Sequence, residues 1–235
     1  KIMKNNKLVS VIMSVYNDDN RVQKAIESIL KQSYSNFELL IMDDCSSDQT
    51  LKICSKYSDL DNVKVYRNNE NIGLTKSLNK LIELTKGDFI ARQDSDDVSH
   101  KMRIEKQIKY METRDLLVST TRATLLQNNY YKVRPRWSHL LPNKLVIKMK
   151  NPFIHGTLII KKELLQEFGC YDESYYFAQD FKLFSDLINS GIKVKTLGEN
   201  LYTLNTENNL STKFKKEQHK FSSKILKENR KIISK

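Results

Sequence analysis

Four times within the first 92 residues a short apolar run appears, and each run is followed by a polar turn. The runs are Leu8–Ser14, Phe37–Met42, Val63–Tyr66 and Phe89–Arg92. Strands that are nearly continuous in apolar residues are covered on both faces. Helical patterns fill the gaps. Asn17-Asp18-Asp19 offers a helix start, and Val22, Ala25, Ile26, Ile29 and Leu30 follow at helical spacing. Ser46-Ser47-Asp48 can cap a helix carrying Leu51, Ile53 and Cys54. Asn71-Ile72-Gly73 turns into a helix bearing Leu74, Leu78, Leu81 and Ile82, which Gly87 ends. Alternating strands and helices with buried strands predict an α/β fold on a mostly parallel, Rossmann-like sheet.

Such sheets bind ligands just beyond the carboxyl ends of their strands. The polar residues of this chain fall there. Ser14 and Asn17 follow the first strand, Asp43 and Asp44 the second, and Asp94-Ser95-Asp96-Asp97 the fourth. Three carboxylates this close repel one another unless a cation neutralises them. Hard divalent ions such as Mg²⁺ or Mn²⁺ join one or two carboxylates to substrate phosphates. Taken alone the cluster reads equally well as a solvated turn, because Asp favours turns. Its place beside two other polar strand ends favours a metal–diphosphate site.

The second half is less regular. Helices are expected over His100–Met111, Leu145–Met149 and Lys162–Phe168, and strands over Leu116–Ser119, Leu125–Val133 and Leu158–Ile160. Asp180 opens an amphipathic helix with Phe181, Leu183, Phe184, Leu187 and Ile188. The 235 residues suit one domain with a full core. No apolar run is long enough to span a bilayer, and Lys1–Asn6 lacks the apolar region of a secretory signal. The expected location is therefore the cytoplasm. Cys45, Cys54 and Cys170 form no C-x-x-C pair and read as reduced thiols. The net charge of +12 admits nucleic acid, an anionic membrane or a phosphorylated substrate. No zinc finger, RNA-recognition signature or basic zipper is visible, so nucleic acid is not expected as a partner.

Read in order, the motifs resemble the family 2 glycosyltransferases. They are Val9-Ser10-Val11-Ile12-Met13-Ser14-Val15-Tyr16-Asn17, Ile41-Met42-Asp43-Asp44-Cys45-Ser46-Ser47-Asp48, Asn71-Ile72-Gly73, Gly87-Asp88-Phe89-Ile90-Ala91-Arg92-Gln93-Asp94-Ser95-Asp96-Asp97, Pro152–Thr157 and Ala178–Phe184. The resemblance covers roughly Val9 to Leu204 and implies a GT-A fold. It implies one domain over residues 1–210, with a nucleotide-binding half to about residue 99 and an acceptor-binding half after it. The implied reaction is inverting transfer of a sugar from a UDP-sugar to a hydroxyl, dependent on Mn²⁺ or Mg²⁺. The acceptor would be a glycan or a polyprenyl-diphosphate-linked sugar of bacterial surface polysaccharide. Asp44 would meet the base, with Asp43 supporting its loop, and Ser14 and Asn17 would lie near the nucleoside. Asp96 would bind the metal, with Asp94 near ribose or metal; Asp97 reads as a second metal ligand or as a structural partner. Asp180 would be the catalytic base. Lys76 and Arg92 are candidates for phosphate contact, and His155, Tyr175 and Tyr176 for an acceptor surface.

Two family features are missing. Many relatives carry Arg and His after the last core strand, where this chain reads Leu201–Ser211 without either. The Gln-x-x-Arg-Trp signature of processive enzymes is also lacking, which favours one sugar per event. Nucleotidyl transfer and a non-enzymatic anionic-surface module are the competing readings. The first lacks a Gly-rich phosphate loop near the opening strand, and the second leaves the acidic rim unexplained. Residues 211–235 read as a basic helix with Phe214, Phe221, Ile225 and Ile232 at near-helical intervals. It would lie on the inner face of the membrane, pack on the domain, or join a second copy in a homodimer.

Overall fold

The computed structural model describes residues 7–127, 130–205 and 214–232. The first apolar run forms β1 (Val9–Val15), and α1 (Val22–Leu30), β2 (Phe37–Asp43), α2 (Thr50–Ser55), β3 (Val63–Arg67), α3 (Leu74–Leu84) and β4 (Phe89–Arg92) follow in the predicted alternation. The second half supplies β5 (Val98–Ser99), α4 (Arg103–Thr113), β6 (Val118–Gln127), β7 (Tyr130–Arg134), α5 (Asn143–Val146), β8 (Ile159–Lys161), α6 (Lys162–Glu167), α7 (Gln179–Asn189), β9 (Val194–Asn205) and α8 (Lys215–Ile232). Among the described residues these strands make one nine-stranded sheet, ordered β3-β2-β1-β4-β8-β6-β9-β5, with β7 beside β6. The first four are mutually parallel, while β8 runs antiparallel to both β4 and β6.

Period-two alternation splits the core into two layers. From β1, Val9, Val11, Met13 and Val15 join Ile26 and Ile29 of α1 and Ile104 and Ile108 of α4. Ile12 points the other way, into a layer with Leu78 and Leu81 of α3 and Phe181 and Phe184 of α7. Each fully buried side chain of this kind contributes about 1.5–3 kcal/mol. Strand order reverses around β1, with β2 on one side and β4 on the other. The carboxyl ends of β1, β2 and β4 therefore share one crevice, the usual ligand position in such a sheet.

The second half departs from expectation in instructive ways. The two strands expected over Leu116–Ser119 and Leu125–Val133 are one continuous β6 followed by the separate β7. Thr120 and Thr121 fall in the gap between the two expected strands, yet they and Ser119 are fully buried. Their polar atoms are matched: Gln107 Nε2 donates to Ser119 Oγ at 3.1 Å, Thr120 and Thr196 hydroxyls lie 2.9 Å apart, and Thr121 N donates to Thr157 Oγ1 at 3.1 Å. Helix α4 starts at Arg103 rather than His100, because Val98 and Ser99 pair with β9 and the His100 amide donates to Leu201 O. Helix α5 begins two residues before the expected Leu145.

The C-terminal helix α8 packs on the domain. Ile225 and Asn229 are buried, Phe221 packs against Tyr175 and Phe177, and Asn229 Nδ2 donates to Ile147 O at 2.9 Å and Ser185 Oγ at 3.0 Å. The middle of its apolar side, Phe221 and Ile225, is thereby spent on the protein, while Phe214 and Ile232 at its ends stay exposed and its Lys-rich side faces outward. Among the described residues no helix is long and apolar enough to cross a membrane. Lys1–Asn6, and the positions Thr206–Ser211 that lack the family's Arg and His, lie outside the described residues.

Candidate active site

The loops that leave β1 and β2 are tied together by short polar side chains. Asn17 adopts a left-handed backbone conformation (φ 47°), which Asn tolerates better than most residues. Its amide donates to Ser46 Oγ at 3.0 Å, and its Oδ1 accepts from Ser47 N at 2.8 Å. Asp48 caps as expected, accepting from the Thr50 amide at 2.9 Å. Ser14 is half-buried at the end of β1, and the adjoining Tyr16 leaves 50% of its surface open. Tyr16 is a site feature that the sequence reading missed.

Asp43 and Asp44 are both buried, and each braces a loop. Asp43 Oδ2 accepts from Ser46 N at 3.1 Å and lies 3.6 Å from Arg67 Nε, while its Oδ1 has no hydrogen-bond partner. Asp44 Oδ1 accepts from Asn68 Nδ2 at 2.9 Å and Ile72 N at 3.0 Å, and its Oδ2 accepts from Gly73 N at 2.8 Å. Gly73 needs its identity: φ is 87°, and an added Cβ would sit 2.7 Å from the Tyr176 ring. Lys76, one turn into α3, is exposed.

The acidic cluster rests on two buried guanidinium groups. Arg92 is fully buried; it donates to Ile12 O at 3.1 Å and Gln93 O at 2.9 Å, and it pairs with Asp94 Oδ1. This corrects the expectation of a phosphate contact, since the side chain lies under the rim and its charge is spent on Asp94. Arg103 is also fully buried, donates to Arg92 O at 3.1 Å and stacks over the Tyr202 ring at 5.5 Å. Burial lowers its pKa to about 10. Tyr202 OH accepts from the Asp94 amide at 3.0 Å. A second correction concerns Asp97, expected as a metal ligand. It is buried, its Oδ1 accepts from Asn205 N at 2.7 Å, and burial followed by Asp94 and Asp96 pushes its carboxyl well above the usual range.

Asp94 and Asp96 both keep some exposure, 29% and 18%, and Asp96 lies 3.7 Å from Arg21 Nη1. Burial and the charges of Asp94 and Asp18 raise its pKa to about 6, against the pull of Arg21. Asp18, read only as part of a helix start, and Arg21, not singled out at all, bind this cluster to the loop after β1: Asp18 accepts from Ser95 Oγ at 2.7 Å and from Arg21 Nε at 2.5 Å. An acid one residue past Asn17, on the same rim, was the signal available for them.

Asp180 stands in the first turn of α7, near enough to Asp94 to feel its charge. The preceding Ala178 takes a left-handed conformation (φ 60°) as the chain enters the helix. Asn151 Nδ2 donates to Asp180 Oδ2 at 2.8 Å. Burial, with the Asp94 charge added, raises the carboxyl to about 6 in spite of the Phe181 amide and Asn151. Beside it, the ring of His155 shares a hydrogen bond of 2.7 Å with Tyr171 OH, and burial and then Arg92 hold it well below the usual histidine range. Tyr175 is a correction to the acceptor surface: it is buried beneath α8, donates to Glu228 at 2.8 Å and stacks on Phe221. Tyr176, its neighbour, is 51% exposed and covers Gly73.

The donor set fits a divalent cation held by few protein groups. Among the described residues no three His, Cys, Asp or Glu side chains form a closed cage. Mg²⁺ and its kin need none, taking one or two carboxylates and completing their shell with water and phosphate oxygens. Asp94 and Asp96 supply the partly exposed carboxylates, and the second oxygen of Asp94 lies over Gly156, 2.6 Å from where a Cβ would sit.

Comparison with known proteins bears on this arrangement. Residues 10–169 match the model of "Glycosyl transferase family 2". The "Putative glycosyltransferase EpsE" of Bacillus subtilis is 37% identical over 155 residues, which is 65% of this chain and 56% of that protein. The "O-antigen biosynthesis glycosyltransferase WbnJ" of Escherichia coli is 37% identical over 189 residues, 77% of this chain and 72% of its own. This chain thus spans little more than half the length of the first relative. Among solved structures, S. aureus TarS residues 1–349 in complex with UDP-GlcNAc superposes with a TM-score of 0.74 at 21% identity, covering 92% of this chain and 65% of that one. The mannosyltransferase PcManGT of Pyrobaculum calidifontis, in complex with GDP-Man and Mn²⁺, gives 0.72 at 17% identity, covering 89% and 60%. At these identities the superpositions establish the fold, and with the family match over residues 10–169 they show that the chain has a GT-A fold and belongs to glycosyl transferase family 2.

Proposed function

We propose that this chain catalyses inverting, metal-dependent transfer of one sugar from a UDP-sugar to a hydroxyl of a glycan or lipid-linked acceptor, in the assembly of a surface polysaccharide. The observation that carries the reading is a pair of carboxyl groups, Asp96 and Asp180, each raised by burial to about 6 and each within electrostatic reach of Asp94. In this reading Asp96 serves the donor and Asp180 the acceptor. Inversion in one displacement needs a base on the face opposite the leaving group and no enzyme nucleophile. Asp180 takes that role: Asn151 donates to one oxygen at 2.8 Å and the Phe181 amide also steadies the carboxylate, which has lone pairs beyond these to take the acceptor proton. A carboxylate that titrates near 6 is ionised at neutral pH, yet more basic than an exposed Asp.

On the donor side, Asn17, Ser14 and the loops braced by Asp43 and Asp44 form the nucleoside seat, with the open face of Tyr16 available to stack on the base. Asp96, with Asp94 beside it, would hold the cation, which supplies Lewis-acid stabilisation of the departing diphosphate. Lys76 stands exposed on α3 to meet phosphate oxygens. A GDP-sugar is the second donor class, because PcManGT, one of the structural neighbours, binds GDP-Man.

The test is a panel of UDP- and GDP-sugars assayed for transfer or slow hydrolysis in the presence of Mn²⁺. Asp180→Asn is expected to keep nucleotide affinity and to lose on the order of 10³-fold in turnover, the scale of a general base. Near-normal turnover in that variant would overturn the assignment of the base.

A further inference from the structure

Between Asp115 and Glu163 the chain carries no acidic residue. The same stretch holds Arg122, Lys132, Arg134, Arg136, Lys144, Lys148, Lys150, Lys161 and Lys162. The fold gathers the middle of it around one surface cavity of about 750 Å³, far from none of its own cations: Arg122, Lys132, Arg134 and Arg136 line it together with Tyr131, Trp137 and Leu140. The apolar members are strongly exposed, Tyr131 at 74%, Trp137 at 66% and Leu140 at 68%. Leu141, Leu145 and Met149 continue the run, each more than half open. Arg122 is partly occupied, donating to Pro135 O at 3.3 Å and Gly198 O at 3.5 Å. Lys132, Arg134 and Arg136 have no carboxylate partner among the described residues.

Exposed apolar clusters of this kind are uncommon on a free monomer and mark interaction surfaces. The mixture selects the occupant. Cations alone would suit any polyanion, and apolar side chains alone would suit another protein. Trp and Tyr with Leu, interleaved with Arg and Lys and without a single acid, match the headgroup level of an anionic bilayer, where rings and aliphatic groups enter and cations meet lipid phosphates. We propose that the segment from Tyr131 to Met149 is a membrane-docking surface for anionic lipid. The C-terminal helix, whose central Phe221 and Ile225 are turned onto the domain, is then an electrostatic accessory. This inference stands apart from the transfer reaction and is tested without it.

The chain offers a built-in reporter, because Trp137 is its one tryptophan. The full chain is mixed with vesicles of phosphatidylcholine alone, or of phosphatidylcholine with phosphatidylglycerol, and Trp137 emission and vesicle co-sedimentation are followed. The expected result is a blue shift and binding with the anionic vesicles only, and quenching of the emission by brominated acyl chains. Arg134→Gln with Arg136→Gln should weaken partition about 30-fold, two cations' worth at the membrane surface. Leu140→Ser should weaken it as well, with the thermal melt of each variant confirming an intact fold. Lys220→Gln with Lys227→Gln, on the outer side of α8, should cost markedly less. Three results would overturn the proposal: unchanged Trp137 emission on anionic vesicles, an equal or larger loss from the α8 pair, or Trp137 protection that follows heparin addition or self-association in light scattering but not lipid.

Discussion

The loop after β2 and the loop after β4 sit on the same rim and treat their carboxylates in opposite ways. Asp44 is surrounded by donors, with the amides of Ile72 and Gly73 and the Asn68 side chain all aimed at it. Asp96 is surrounded by other acids, and only Arg21, at 3.7 Å, opposes them. A carboxylate ringed by amide donors is a brace, whose work is finished when the chain folds. A carboxylate crowded by acids is held against its own repulsion and is ready for a cation. Asp180 stands between the two: burial raises it, with Asp94 adding to the effect, while the Phe181 amide and the Asn151 side chain steady it.

The sharpest way to break this contrast is Asp96→Ala. If the crowded carboxylate holds the cation, the variant should lose transfer on the order of 100-fold or more, in line with the several kcal/mol such an ion supplies. Titration calorimetry should show UDP binding no longer strengthened by Mn²⁺, with thermal stability unchanged or raised because a repelling charge is gone. Metal-responsive binding in that variant would break the contrast.

Asp44→Asn should behave in the reverse sense. An amide cannot accept from three donors as a carboxylate does, and charged hydrogen bonds of this kind contribute about 1.5–3 kcal/mol. For a domain of this size, a midpoint lower by roughly 3–12 °C is expected in thermal unfolding, with activity lost in proportion to the disordered loop. A variant as stable as the parent but unable to bind nucleotide would move Asp44 into the other group.

The smallest effect is the dependence on pH. Asp96 and Asp180 both move from the usual 3.8 to about 6, so kcat/KM should rise with pH and level off above about 6. Added Mn²⁺ should shift the Asp96 part of that limb to lower pH and leave the Asp180 part in place. The sign for stability is opposite. The folded chain binds these two protons more tightly than the unfolded chain, so ionisation erodes stability as pH climbs from about 4 to about 6. A metal-free thermal melt that improves across that interval would contradict the assignment.

The alternation of strand and helix through β4, and the placing of acids at strand ends, were legible because both depend on local sequence alone. What was not legible depends on partners distant in the chain. Asp44 was legible as a polar strand end, but not the donors that hold it, since Gly73 arrives 29 residues later. Arg92 reads as a cation for phosphates until its strand is buried on both sides. Thr120 and Thr121 fall in the gap between the two expected strands because their matching groups come from Thr196 and Thr157. Within Tyr175-Tyr176 nothing local says which ring turns inward, and the arrival of α8 decides it. Asp180 was legible as a helix opening, but its steadying partner Asn151 lies 29 residues upstream.

One buried amide on the last helix has a consequence of its own. Asn229 meets Ile147 O, Ser185 Oγ and Asn189 Nδ2, three groups on two separate segments. Phe221 and Ile225 would grip the domain almost equally well if the helix slid by a turn, because apolar contact is indifferent to small translations. Asn229 is not indifferent: a shift of one turn, about 5.4 Å, would leave those groups unmatched in a dry interface. It works as a key that admits one alignment, and through it the position of Glu228 beneath Tyr175 is set.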